Sequence, residues 1–304
     1  MAPAAQEGYI ERGGARLDYR VVGRGLPIVV LHGGPDFDHA YLLPDLDRLA
    51  EEFRLVYYDQ RGRGRSAAWV SPEDVSIESE IADLDAVRSH FGLESAAILG
   101  HSWGGLLAME YALRHPHRVS HLVLLNTAPA SHDDVALTRR RRQESSAADL
   151  EHMRAIAATP EYERGDLAAE AAYYRIHFRT TLRPEHLEHV VRRLRAHFTP
   201  EGVRTARAIE LRLYRQTWDR EDYDLVPGLA RLAVPTLVVH GDRDLIPLEC
   251  ARRIADAIPR ARLVVPPDSG HFAYLDRPGD VRRALTDFLA AAARVGSSAR
   301  PPDA

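Results

Sequence analysis

Six short runs in this chain are apolar at nearly every position: Pro27-Ile28-Val29-Val30-Leu31, Phe53 to Asp59, Ala96 to Leu99, His121 to Asn126, Pro235 to His240 and Ala261 to Val265. Runs of this length without alternation are typical of strands buried on both faces. Upstream, Tyr9 to Arg12 and Ala15 to Val22 flank Gly13-Gly14, which reads as a β-hairpin with a two-glycine turn. Stretches of helical character separate the strands: Tyr41 to Glu52, Ser76 to Phe91, Leu106 to His115, Leu248 to Ile258 and Val281 to Ala292. Strands alternating with helices predict an α/β fold, a mostly parallel central sheet covered by helices on both faces.

The alternation breaks between Ala130 and Arg231. That interval is rich in Arg, Glu, His and Ala, and its helical stretches are Leu150 to Ala157, Gly165 to Phe178, Pro184 to His197 and Pro200 to Tyr214. It is too long for a plain connection between two strands. It predicts a helical cap domain, residues 130–231, inserted into a core domain made of residues 1–129 and 232–296. Within the cap, the run Arg139 to Arg142 reads as a solvated helix face. Residues 297–304 are composed of Ser, Ala, Arg, Pro and Asp and read as a disordered tail.

With 304 residues and 45% hydrophobic composition, the chain can bury a large core. A net charge of −4 supplies no basic or acidic field for nucleic acid or a membrane surface. The forty basic residues are all arginine, a compositional mark without functional content. Cys250 is the only cysteine, so no internal disulfide forms, which fits a reducing compartment. Met1 to Glu7 has neither a basic nor an apolar signal region, and no apolar run approaches a membrane span; the expectation is a soluble cytoplasmic protein.

Candidate chemistry centres on Gly100-His101-Ser102-Trp103-Gly104, placed between the apolar run 96–99 and a helix-favouring run from Leu106. A serine at a sharp strand-to-helix turn, with glycine two residues away on each side, has the form of the G-x-S-x-G nucleophile elbow. A serine hydroxyl needs a base, an orienter for that base, and donors for the developing oxyanion. Each has a candidate at a strand end. The base is His271 in Asp268-Ser269-Gly270-His271. The acid is Asp244, with Asp242 as the alternative, in Gly241-Asp242-Arg243-Asp244. The oxyanion donors are the N–H groups of Trp103 and of Gly34, or Gly33, in His32-Gly33-Gly34-Pro35. The run Asp59-Gln60-Arg61-Gly62-Arg63-Gly64-Arg65-Ser66 reads as a scaffold turn beside the site, being too short and too poor in aromatics for RNA binding. The histidine pairs 115/117 and 186/189 lack carboxylates at the strand ends, so no metal is expected.

Together these residues resemble the α/β-hydrolase superfamily and, within it, the proline iminopeptidases and their tricorn-interacting relatives. The motifs carrying the resemblance are His32-Gly33-Gly34-Pro35, the run 59–66, Ser102-Trp103-Gly104, the spacing Gly241-x-x-Asp244 to Gly270-His271, and in the cap Thr159-Pro160-Glu161-Tyr162 and Trp218-Asp219. The resemblance implies a serine peptidase without a cofactor that releases an N-terminal residue, often proline, from short peptides. It also implies acidic residues that hold the substrate's free amine. Asp242 is the candidate near the catalytic acid. Glu210 is the candidate in the cap if the alignment shifts by one turn; without the shift Leu213 falls there. Asp36, where the family commonly has glycine, is a further candidate facing the pocket, and His101 likewise stands where glycine is common. The alternatives on the same scaffold are a small-molecule carboxylesterase, lactonase or amidase, and a ligand-binding receptor with little turnover.

Overall fold

The computed structural model describes residues 5–297. Eight strands form one sheet: β1 Gln6–Arg12, β2 Ala15–Gly23, β3 Leu26–Leu31, β4 Phe53–Tyr58, β5 Ala96–His101, β6 Val119–Leu125, β7 Thr236–Val239 and β8 Ala261–Val264. Their order is β1-β2-β4-β3-β5-β6-β7-β8. The hairpin β1/β2 and the β2/β4 pair are antiparallel. From β4 through β8 every pair is parallel. The apolar runs are central because both faces are covered: Ile28 to Leu31, Leu55 to Tyr58 and Ala97 to Leu99 are all fully buried.

The long helices packing on the sheet are α1 Ile77–His90, α2 Trp103–Arg114, and, late in the chain, a helix over Leu248–Ala257 and another over Pro278–Ser297. Ser76 caps α1, its side chain accepting the Ser79 N–H. Between β6 and β7 the chain runs through α3 His132–Ser145, α4 Ala147–Ala157, α5 Pro160–Glu163, α6 Leu167–Phe178, α7 Pro184–Arg193, α8 Pro200–Gln216 and α9 Val226–Leu229. The two late helices are α10 and α12, with the short α11 Ala273–Asp276 between them. Of helix α3 only the charged face Arg139 to Arg142 is expected; polar residues fill most of its length and hide its apolar positions. The expected disordered tail lies outside the described residues beyond Ser297.

One expected helix is absent. Tyr41 to Glu52 forms two 3₁₀ segments, His39–Leu42 and Leu46–Glu51, instead of one α-helix. Pro44 sits in the middle, has no N–H to donate, and would clash with the preceding turn of an α-helix. The break leaves Tyr41 fully buried beneath the β3 loop, where its hydroxyl becomes part of the site.

Candidate active site

Ser102 joins β5 to α2 with φ 54° and ψ −120°. A side chain in this region of positive φ is strained and is held only where its surroundings demand it. The flanking glycines make the turn possible. A Cβ on Gly100 would lie 2.2 Å from the Gly104 carbonyl, and one on Gly104 would lie 2.3 Å from the Leu31 carbonyl. Three backbone bonds secure the serine: its N–H donates to Leu125 O at 3.2 Å, and its carbonyl accepts from Gly105 and Ala128 at 2.8 and 2.9 Å. Trp103 opens α2, so its N–H is one of the amides that a helix leaves unpaired at its positive end.

The loop after β8 brings His271 to the serine, with Nε2 3.0 Å from the Ser102 hydroxyl. Its other ring nitrogen lies 2.8 Å from Asp244 Oδ1, on the loop after β7. Asp244 also accepts from Asn126 Nδ2 at 2.7 Å and from the Ile246 N–H at 3.0 Å. Burial alone would raise this carboxyl. The rings of His271 and His240, with the bonds from His271 and Ile246, outweigh burial and hold it well below the usual range. Asn126 escapes the motif reading. It sits at the end of β6 with φ 45°, and its amide also donates to the Gly270 carbonyl at 2.9 Å, tying both loops to the sheet. The available signal was a polar residue closing an apolar strand run.

The β3 loop is pinned from below. The Gly33 N–H donates to the Tyr41 hydroxyl at 2.7 Å, so it is not free to meet an oxyanion, and Gly33 drops out as a donor. Gly34, at φ 120°, lines the cavity above Ser102. Among the described residues neither the Gly34 nor the Trp103 N–H has a protein acceptor. Tyr41 donates in turn to His101 Nδ1 at 2.7 Å, and His101 Nε2–H donates to the His271 carbonyl at 2.9 Å. Burial, and next the His271 ring, push His101 down to about 3, so it stays neutral with its one proton on Nε2. The run 59–66 braces the same loop. Gln60 donates to the His32 carbonyl at 2.8 Å, Arg61 grips Asp83 at 2.6 and 2.8 Å, and the fully buried Arg63 reaches Glu80 at 2.7 Å.

The cavity over Ser102 has a volume of about 260 Å³ and is walled by α3, α6 and α8 as well as by the sheet loops. The three expected amine-holding acids fare differently. Glu210 lines this cavity, whereas Leu213 is fully buried in the core. Glu210 accepts from the Tyr214 hydroxyl at 2.7 Å; burial and the nearby Asp36 carboxylate push it up to about 8. Asp36 also reaches the cavity, but it is committed: Arg195 pairs with it and the Tyr174 hydroxyl donates to it at 3.0 Å. Asp242 is exposed, lies outside the Ser102 cavity, and accepts the Ser269 N–H at 3.0 Å. It fastens the turn, and the residue beside Asp244 that faces the cavity is Leu245.

Among the described residues one group, Asp38, Asp59 and His197, places three potential metal-ligand atoms within 4.8 Å of one another. Each carboxylate already has partners: Asp59 binds His39 at 2.6 Å and Asp38 accepts the Ala40 N–H at 2.8 Å. Among the same residues no helix is long and apolar enough to cross a membrane.

Comparison with known proteins agrees with this geometry. Residues 27–278 match the family model for the alpha/beta hydrolase fold. A proline iminopeptidase from Levilactobacillus brevis is 30% identical over 301 residues, covering 94% of this chain and 97% of that protein. Among solved structures, a thermophilic esterase from Thermogutta terrifontis is 26% identical with a TM-score of 0.69, covering 94% of this chain and 99% of its own. The proline iminopeptidase of Mycobacterium smegmatis shares the fold, with a TM-score of 0.71 at 24% identity over 96% of this chain and 100% of its own. The chain therefore belongs to the α/β-hydrolase fold family, as a hydrolase that resembles the proline iminopeptidases.

Proposed function

We propose that this protein is a serine hydrolase acting through an acyl-enzyme, and that it releases an N-terminal residue from short peptides in the manner of a proline iminopeptidase. The observation that carries the hydrolytic part is the unbroken line Ser102 Oγ–His271–Asp244, at 3.0 and 2.8 Å. His271 Nε2 takes the hydroxyl proton as the serine oxygen attacks the carbonyl carbon. The resulting oxyanion lies between the Gly34 and Trp103 N–H groups. His271 then gives the proton to the leaving amine, the C–N bond breaks, and water hydrolyses the ester by the same route. Asp244 fixes the tautomer and balances the imidazolium.

Glu210 supports the peptide part of the reading. It faces the Ser102 cavity with no cation paired to it among the described residues, and a substrate ammonium supplies the missing charge. The Levilactobacillus relative carries the same inferred activity in its name. An esterase, lactonase or amidase would use the same three residues, and one observation favours it: Leu245 and Leu213 leave a single uncommitted acid in the cavity. Proline β-naphthylamide and its N-acetylated form separate the two. The aminopeptidase reading predicts cleavage of the free amine only. Equal cleavage of both selects the esterase or amidase reading, and cleavage of neither, with esters also intact, points to a binding protein.

A further inference from the structure

Helix α3 hides a pattern inside its polar sequence. Val135, Thr138, Arg139 and Arg142 recur at helical spacing and all reach the wall of the Ser102 cavity. Arg140 and Arg141 face solvent, as a charged helix face should, but Arg142 turns inward. Its guanidinium lies 3.1 Å from His177 Nδ1 and 3.4 Å from Met153 Sδ. Both partners are neutral. Burial and the charge of Arg142 push His177 well below its ordinary value, so the ring accepts.

The buried arginines of this chain have carboxylates, for example Arg61 with Asp83, Arg63 with Glu80, and Arg195 with Asp36 and Glu170. Arg142 makes no ion pair among the described residues, and the acid whose field reaches it, Asp149, is gripped by both arms of Arg179. Arg142 is half-buried, and a partly enclosed cation without an anion is left short of a partner; a guanidinium is shaped to take a carboxylate by two parallel bonds. Its location says where that carboxylate comes from. Arg142, His177 and Leu245 line both the Ser102 cavity and a second cleft of about 460 Å³ that opens past Asp242 and Pro247. Glu210 and Arg142 line the same cavity as Tyr173, so one chamber holds both an acid and a guanidinium.

We propose that Arg142 is the subsite for a carboxylate on the leaving side of the scissile bond, which makes an unblocked dipeptide the preferred substrate. Its ammonium meets Glu210 and its terminal carboxylate meets Arg142. Longer peptides run into the outer cleft and lose the second contact. The ammonium half rests on the aminopeptidase reading; the carboxylate half does not.

The test has two arms. In the first, kcat/KM is compared for prolyl-alanine and prolyl-alaninamide. The wild type favours the free acid by about tenfold or more, the charge-assisted pair being lost in the amide. Arg142→Gln brings the ratio to near one, and Arg142→Lys restores part of it. Because the readout is a ratio within each protein, a general loss of activity does not mimic it. In the second arm, thermal stabilisation by butyrate is compared with that by butyramide. Butyrate stabilises the wild type more, and Arg142→Gln abolishes the difference. If no peptide is cleaved but the butyrate difference holds and depends on Arg142, the aminopeptidase reading fails and the carboxylate subsite stands. A wild type indifferent to the carboxylate in the second arm, or a preference that survives Arg142→Gln, overturns the proposal.

Discussion

The ring of His101 donates its Nε2–H to the backbone carbonyl of His271 over 2.9 Å. The residue before Ser102 thus holds the loop that carries His271, while its other nitrogen, through Tyr41, holds Gly33 in the loop after β3. Three loops from three strand ends are tied through one neutral imidazole.

That arrangement has a pH signature. The folded state keeps His101 unprotonated down to about 3, whereas the unfolded chain takes up a proton near the ordinary histidine value of 6.5. Protons therefore bind the unfolded state preferentially between these limits, and stability falls as pH drops through that window. Replacing His101 by Asn removes the contribution. Urea unfolding at pH 6 and pH 5 should show the wild type losing about 1.4 kcal/mol more per pH unit than His101→Asn. Parallel pH slopes in the two proteins would show that the ring does not stay neutral in the fold.

Glu210 predicts a different pH dependence, in catalysis. Its carboxyl, raised to about 8 by burial and Asp36, titrates in the same range as a substrate amine. Below that range binding an ammonium must expel the Glu210 proton; above it the free amine must recruit one. The rate constant kcat/KM for an unblocked prolyl arylamide should peak near pH 8, and Glu210→Gln should raise KM by about 10- to 100-fold, a range typical of losing one charge-assisted contact. Ester substrates without an amine should show neither effect. An unchanged KM in the variant would remove Glu210 from the amine site.

The buried pair Arg63–Glu80 predicts an effect on stability. Both side chains are fully or nearly fully enclosed and 2.7 Å apart. Arg63→Met leaves Glu80 unpaired and should cost about 3–5 kcal/mol in equilibrium unfolding. The double replacement Arg63→Met with Glu80→Met should recover part of that loss. A single variant as stable as the wild type would contradict the scaffold role of the 59–66 run.

The sheet was legible because strands buried on both faces write their burial directly into the sequence, as Ile28 to Leu31 and Ala96 to Leu99 do. Ser102, His271 and Asp244 were legible because each lies within three residues of a glycine at a strand end, where the backbone must turn. Pro44 was the visible breaker that the apolar spacing of residues 41–52 masked. Asp242 and Asp244 differ only in which of them turns inward after Gly241, and side-chain direction in a loop follows tertiary contacts such as Asn126, not spacing. Arg142 was hidden by its neighbours: four consecutive arginines look solvated, and only the stripe counted from Val135 shows that the last one faces the cavity.

The most direct measurement is the mass of the intact protein after exposure to a fluorophosphonate, which forms a stable phosphonyl ester with an activated serine. One adduct should appear, on Ser102, with hydrolysis lost in step. Ser102→Ala should take up no label and lose about 10³- to 10⁶-fold in kcat while remaining folded. A label that persists in Ser102→Ala, or hydrolysis undiminished by that change, would contradict the account at its centre.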